Sequence, residues 1–202
     1  MKVVNFVGGP GSGKSTTAAG VFFGMKVTAQ HPVELVTERA KELTYDQAWP
    51  LLANQQAVTS EQDQRQRRLQ GHVDYCITDS PLFLGCVYGS GVWAEDHMKQ
   101  QWWNLFNSYD NITVYIERVK PYQPYGRSQS EDEARIMDRR LKKLTEGIVD
   151  FYVPGDEYAP AVIMGLLGLE LPEVFKQQLA QRDQIGRAHR FEAERQRMAS
   201  II

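Results

Sequence analysis

Gly8-Gly9-Pro10-Gly11-Ser12-Gly13-Lys14-Ser15, followed by Thr16, fits the spacing G-x-x-x-x-G-K-[ST]. Residues of these types in this order do one kind of chemistry. Glycines let the backbone curl until successive N–H groups converge on one anion, and the positive end of a following helix adds to the attraction. An ammonium group at Lys14 then reaches the outer phosphates of a nucleoside triphosphate. The hydroxyl of Ser15 is expected to ligand Mg²⁺, which bridges the β- and γ-phosphates. The stretch Gly8 to Thr16 therefore reads as the binding loop for ATP or a close relative, with Mg²⁺ as the companion ion. The plain alternative is a glycine-rich turn carrying an incidental lysine.

Two carboxylates stand where they could complete such a site. Asp79, in Ile77-Thr78-Asp79-Ser80-Pro81, follows an apolar run and could hold Mg²⁺ through water. Glu38 occupies the equivalent place after an earlier run, where it could accept a proton from an attacking hydroxyl or position an acceptor. Arg39 beside it could hold an anionic or ribose-like group. Equally, Glu38 could cap a following helix and Asp79 could close a turn.

The elements that must carry these residues can be read from apolar periodicity. Val3 to Val7 is rich in β-branched residues and leads into the glycine loop, after which Gly13 to about Gln30 is compatible with a helix. Val33–Val36, Tyr75–Thr78, Ile112–Ile116 and Phe151–Val153 read as four further strands, with intervening segments long enough for crossover helices. This predicts an α/β fold of three layers, with a central, mostly parallel five-stranded sheet covered on both faces.

Other stretches are polar. Thr59 to Gln70, with Gln62, Gln64, Arg65, Arg67 and Arg68, reads as an arm; amides paired with guanidiniums suit a base edge or a carboxamide, and a solvent-facing helix explains them as well. Lys120 to Arg140 opens on Pro, Tyr and Gly and becomes a charged helix. Arg127, Arg135, Arg139 and Arg140 in it could swing onto bound nucleotide as a lid, or Arg135 could pair with Glu131 four residues away. Residues 171–202 read as a helical extension packed on a domain spanning 1–170. Tyr45, Trp49, Trp102 and Trp103 could stack on a ligand ring, although large aromatics at irregular spacing are more often core. The four histidines have no ligand spacing.

These motifs resemble the P-loop nucleoside and nucleotide kinases, and within them the ribosylnicotinamide-kinase-like ATPase domains common in bacteriophages and bacteria. The resemblance rests on Gly8 to Thr16, on Val36-Thr37-Glu38-Arg39-Ala40, on Thr78-Asp79-Ser80-Pro81 and on Pro124-Tyr125-Gly126-Arg127-Ser128-Gln129-Ser130-Glu131. It implies a P-loop kinase fold in which Glu38 faces the acceptor and Arg127 or Arg135 closes over the phosphates. Together with the residue chemistry above, Lys14, Glu38, Asp79, Arg127 and Arg135 are the expected catalytic residues and Glu38 and Arg39 expected substrate contacts, while Gln62 and Arg65 are expected at the substrate on their amide and guanidinium chemistry alone. The implied activity is transfer of the γ-phosphate of ATP to a hydroxyl or phosphate of a nucleoside-like small molecule.

Composition narrows the field. The 202 residues carry a formal net charge of -2, with 42% hydrophobic and 24% charged residues, which is ordinary globular usage and does not by itself draw the molecule onto nucleic acid. DNA remains a less favoured acceptor, motivated by Arg65 to Arg68 and by Arg187, Arg190, Arg195 and Arg197. A nucleotide-driven assembly module is a third reading. The absence of an Asn-Lys-x-Asp sequence argues against a switch GTPase. Cys76 and Cys86, without a ligand-spaced histidine, form neither a disulfide framework nor a zinc site and fit a reducing cytoplasm. The opening apolar run is too short for a signal peptide, and no window reaches the ~20 apolar residues of a membrane helix.

Overall fold

The structure, a computed structural model, describes residues 1–123 and 130–184. Its frame is a five-stranded, wholly parallel sheet of β1 (Lys2–Val7), β2 (Val33–Val36), β3 (Tyr75–Thr78), β4 (Asp110–Glu117) and β5 (Phe151–Pro154), in the order β2-β3-β1-β4-β5. The strand β1 is central because its run Val3 to Val7 can be buried on both faces. Its residues Lys2 to Asn5 pair with Tyr75 to Thr78, and Lys2 to Val7 with Asp110 to Tyr115.

Helices close the sheet on both sides: α1 (Lys14–Thr28), α2 (Arg39–Tyr45), α3 (Trp49–Ala53), α4 (Gln55–Arg67), α5 (Gly85–Tyr88), α6 (Asp96–Phe106), α7 (Glu131–Leu144) and α8 (Ala159–Leu166). Alternation along the strands sorts the core into two layers. Val4, Phe6, Val114 and Ile116 face α1 and α8 through Ala18, Val21, Met25, Ala161 and Ile163. Val7 and Tyr115 face the opposite way, onto Leu82, Phe83, Phe106 and Leu141. Residues 173–184 are helical, and Phe175 adds its ring to the first layer, meeting Phe23 edge-on at 6.3 Å.

Strand order sets where a ligand can enter. The chain leaves β1 toward β2 and leaves β3 in the opposite direction toward β4, so the connections part beyond the carboxyl ends of these two neighbours. The glycine loop follows one strand and Asp79 the other.

The segment open to reading as an arm or a solvent-facing helix is α4, a helix packed on the domain. Asn54 caps it by accepting the Ala57 N–H at 3.1 Å, and its inner face is polar: Thr59, Gln62, Asp63 and Gln66 are buried. Partners make that burial tolerable for Gln62 and Asp63, whereas Nε2 of Gln66 is buried with no hydrogen-bond partner among the described residues. Gln62 accepts the Arg39 N–H at 3.1 Å and donates to the Thr37 carbonyl at 3.3 Å, while Asp63 accepts from Tyr109 Oη and Arg67 Nη2, each at 2.6 Å. Among the described residues no helix is long and apolar enough to cross a membrane.

Candidate functional site

The loop between β1 and α1 takes its shape from glycine. Gly11 and Gly13 adopt φ values of 81° and 108°, a region disfavoured for side chains with a Cβ, and Gly13 opens α1 with no side-chain cap. The amides of the first helical turn are thereby left to a ligand rather than to a neighbouring Ser or Asp. Lys14 Nζ lies 3.2 Å from the Gly9 carbonyl, folded back over its own loop.

Ser15 donates a hydrogen bond to Oδ2 of Asp79, which joins the start of α1 to the end of β3. Asp79 is buried, and its second oxygen, Oδ1, has no hydrogen-bond partner. A buried carboxylate oxygen without a donor is costly unless a cation or a donor completes it. The pair offers hard oxygen ligands, which suit Mg²⁺; no group of three or more His, Cys, Asp or Glu residues gathers into a metal cage among the described residues. Magnesium that takes most of its ligands from phosphate and water needs no such cage.

Glu38 sits at the N-cap position of α2 with an extended backbone, yet its side chain makes no capping hydrogen bond. The carboxyl is directed to the site instead. Burial raises its pKa above the ordinary value, the Lys14 ammonium opposes that rise, Asp79 adds to it and Lys41 opposes it again. The sensitivity to both Lys14 and Asp79 ties the three charged groups into one electrostatic unit. The Tyr88 phenol is also pushed up, by burial first and then by Glu38 and Asp138.

A cavity of about 370 Å³ opens from Pro10, Gly11, Lys14 and Ser15 past Glu38 into a chamber bounded by α2, α3, α4 and α5. Its walls mix apolar groups from Trp49, Leu52, Val58 and Leu84 with polar ones from Lys41, Thr44, Gln55, Thr59 and Tyr88. That size and mixture suit a small organic molecule held by shape and a few polar contacts.

A model of the AAA domain family matches residues 3–151, from the first strand to the start of the fifth. The chain belongs to this family. No curated protein matches it in sequence. Among solved structures, deoxyadenosine kinase from M. mycoides with bound dATP is similar with a TM-score of 0.53 and 18% identity, over 83% of this chain and all of the other. Shikimate kinase from Aquifex aeolicus vf5 gives a TM-score of 0.43 and 16% identity, over 83% of this chain and 94% of its own. The expected three-layer α/β P-loop fold around a five-stranded parallel sheet is the one observed.

Within this AAA domain the arginines divide. Arg39 and Arg65, expected at the substrate, do not line the cavity. Arg65 grips Glu42 with Nη1 and Nη2, both at 2.8 Å, and reaches Glu61 at 3.0 Å; Arg39 completes the square by binding Glu42 and Glu61, each at 2.8 Å. The two guanidiniums clamp α2 to α4, behind the cavity wall. Gln62 does line the cavity, with its amide already bonded to backbone. Arg135 is exposed, paired with Glu131 at 2.7 Å, and does not line the cavity. Arg127 lies outside the described residues, as do Arg187, Arg190, Arg195 and Arg197.

Sequence reading passed over Arg118, which follows β4, and Asp138 of α7. Arg118 Nη2 donates to the Pro10 carbonyl at 2.7 Å, and Asp138 Oδ1 accepts the Gly9 N–H at 2.8 Å. A signal existed for Arg118, since it follows the strand adjacent to β1 as Asp79 follows β3. Asp138 had none, because only the docking of α7 brings it to the loop. Lys41, Thr44 and Tyr88 were likewise missed as cavity residues.

Proposed function

We propose that this chain is an ATP- and Mg²⁺-dependent kinase that transfers the γ-phosphate to a hydroxyl or phosphate of a free, nucleoside-like small molecule. The observation that carries this reading is the continuity of the cavity from Lys14 and Ser15, past Glu38, into a bounded chamber. A triphosphate on the loop Gly8 to Thr16 would place its terminal phosphate at the chamber's entrance. The neighbour whose fold is shared, a deoxyadenosine kinase with bound dATP, makes a nucleoside acceptor the first class to examine.

In this reading the loop amides and Lys14 hold the phosphate oxygens, and Ser15 and Asp79 hold Mg²⁺. When bound, that ion would offset the charge on the β- and γ-phosphates. The acceptor oxygen forms a bond to the γ-phosphorus as the bond to the bridging oxygen of ADP breaks. An acceptor hydroxyl gives its proton to the ionised Glu38 carboxylate; an acceptor phosphate, already ionised, needs only to be positioned there. Arg127 and Arg135 are assigned to the lid, the latter after release from Glu131. The free thiols Cys76 and Cys86 fit a cytoplasmic setting.

The commitment of Arg65 to Glu42 and Glu61 removes one motive for a polynucleotide acceptor, and a bounded chamber suits a free molecule better than a strand. The test is ADP formation from Mg·ATP across a panel of nucleosides, nucleotides and DNA. Stimulation by at least one free nucleoside or nucleotide is expected. ADP formation that no acceptor alters would overturn the kinase reading and favour an ATP-driven assembly module.

A further inference from the structure

The phosphate-loop spacing leaves position 9 open to any residue, yet this chain has glycine there. Helix α7 supplies the reason. A Cβ on residue 9 would lie 2.0 Å from Oδ1 of Asp138 and 2.9 Å from the carbonyl oxygen of Ala134, so α7 can rest on the loop only if residue 9 has no side chain. In the space so left, the Gly9 N–H donates to Asp138 Oδ1 at 2.8 Å.

Arg118 holds the same carboxylate from the other side, with Nε 2.8 Å from Oδ2 and Nη2 3.2 Å from Oδ1, while Nη2 also donates to the Pro10 carbonyl at 2.7 Å. The Tyr115 hydroxyl donates to the Asp138 carbonyl at 2.9 Å, fixing the helix backbone at that residue. Consecutive residues of the loop, Gly9 and Pro10, are thus bonded one to Asp138 and the other to Arg118. None of Gly9, Arg118 and Asp138 lines the cavity, so this grip leaves the ligand-facing side of the loop open.

Stability alone explains the arrangement poorly. The Arg118 side chain is only 8% exposed, and one of its nitrogens, Nη1, is buried with no hydrogen-bond partner. Buried ion pairs contribute little net stability against well-packed apolar groups, and an unmet donor subtracts from that. A carboxylate beside a loop that attracts anions is also adverse unless a cation neutralises it. What the arrangement does supply is register. Asp138 lies on the helix that carries Arg135, Arg139 and Arg140, so its bond to Gly9 sets the rotation of those arginines relative to the phosphate loop.

We propose that Arg118 and Asp138 are positioning residues that couple α7 to the phosphate loop, so that the loop and the arginine-bearing helix respond to nucleotide as one body. This rests on reading the loop as a nucleotide site, and it needs no assumption about the acceptor.

The test compares the wild-type chain with Asp138→Asn, Arg118→Lys and Gly9→Ala, measuring thermal stability, affinity for Mg·ATP by titration calorimetry, and hydrogen exchange of residues 8–16 and 131–144 with and without Mg·ATP. In the wild type, nucleotide is expected to slow exchange in both segments together. Asp138→Asn keeps an acceptor for Gly9 but loses the ion pair, and Arg118→Lys keeps the charge but loses the planar fork. Each is expected to weaken Mg·ATP binding by about tenfold and to abolish nucleotide protection of 131–144 while protection of 8–16 persists. Variants that melt earlier yet keep wild-type affinity and joint protection would make the contact a structural brace and overturn the proposal. A wild-type chain that binds no Mg·ATP would overturn the nucleotide reading as well, whereas binding that protects only one segment would overturn the coupling alone.

Discussion

The Ser15 hydroxyl donates to the Asp79 carboxylate, linking the first turn of α1 to the residue that follows β3. Parallel pairing of β1 with β3 makes this contact, because Asn5 lies in register with Thr78 and both chains then turn out of the sheet at the same end. One carboxylate oxygen is satisfied by Ser15 and the other, buried, is not. The oxygens suit a magnesium ion that carries the rest of its coordination on phosphate and water.

Asp79→Asn keeps the shape of that side chain and removes its charge. Half-maximal ATP binding should then require about tenfold or more Mg²⁺, with little change in melting temperature. Titration of Mg²⁺ at fixed ATP checks this; an unchanged requirement would remove Asp79 from the metal site.

Glu38 should titrate above the ordinary glutamate value of 4.5, because burial penalises its ionised form. A carboxyl whose folded pKa is raised contributes stability that is present below 4.5 and lost as pH rises through the folded value. Glu38→Gln, which mimics the neutral form, should therefore be more stable than wild type at pH 7, with the gap closing below pH 4.5. It should also lose about a hundredfold or more in transfer to a hydroxyl acceptor. Carboxyl NMR gives the titration directly, and a midpoint at or under 4.5 would contradict the assignment.

How much of this was legible in the sequence depended on whether the signal was local. The strand Tyr75–Thr78 was delimited correctly because an apolar run ended at Asp79-Ser80-Pro81, and the Arg135–Glu131 pair followed from helical spacing. Helix α4 was open to two readings, an arm or a solvent-facing helix, and its docking on the domain was missed because Gln62, Asp63 and Gln66 fill its buried face, and apolar periodicity is silent where amides and a carboxylate occupy the inner face of a helix. Arg39 and Arg65 lie 26 positions apart, and only the packing of α2 on α4 shows that they share Glu42 and Glu61. The bond between Gly9 and Asp138 spans 129 positions, beyond any local pattern.

The Glu42 carboxyl is held down at about 2, chiefly by its hydrogen bonds with Arg65, against the opposing effect of burial, and also by Arg39. A depressed folded value means stability that is present above the unfolded value of about 4.5 and lost as pH falls toward 2. Glu42 is 41% exposed, so solvent screening limits the contribution to about 1 kcal/mol. Glu42→Gln should lower the melting temperature at pH 7 by about 2–4 °C, with the difference shrinking below pH 3. Equal destabilisation at pH 7 and pH 2 would show that the ion pairs are not its source.

Ala53 lines the chamber at the end of α3, away from the phosphate loop. Ala53→Trp should narrow the acceptor space, raising the acceptor KM at least about tenfold while leaving Mg·ATP affinity unchanged. Steady-state kinetics with the best acceptor of the panel decides it; equal effects on both substrates would mean that the chamber is not a separate acceptor site.

The most direct test of the account follows the label from γ-³²P ATP in the presence of Mg²⁺ and the acceptor panel, with Lys14→Ala as the comparison. Label is expected in a nucleoside-like small molecule with the wild type, with a loss of about a thousandfold in the variant while its fold is retained. Label appearing only as inorganic phosphate, at the same rate with every acceptor and with none, would contradict it.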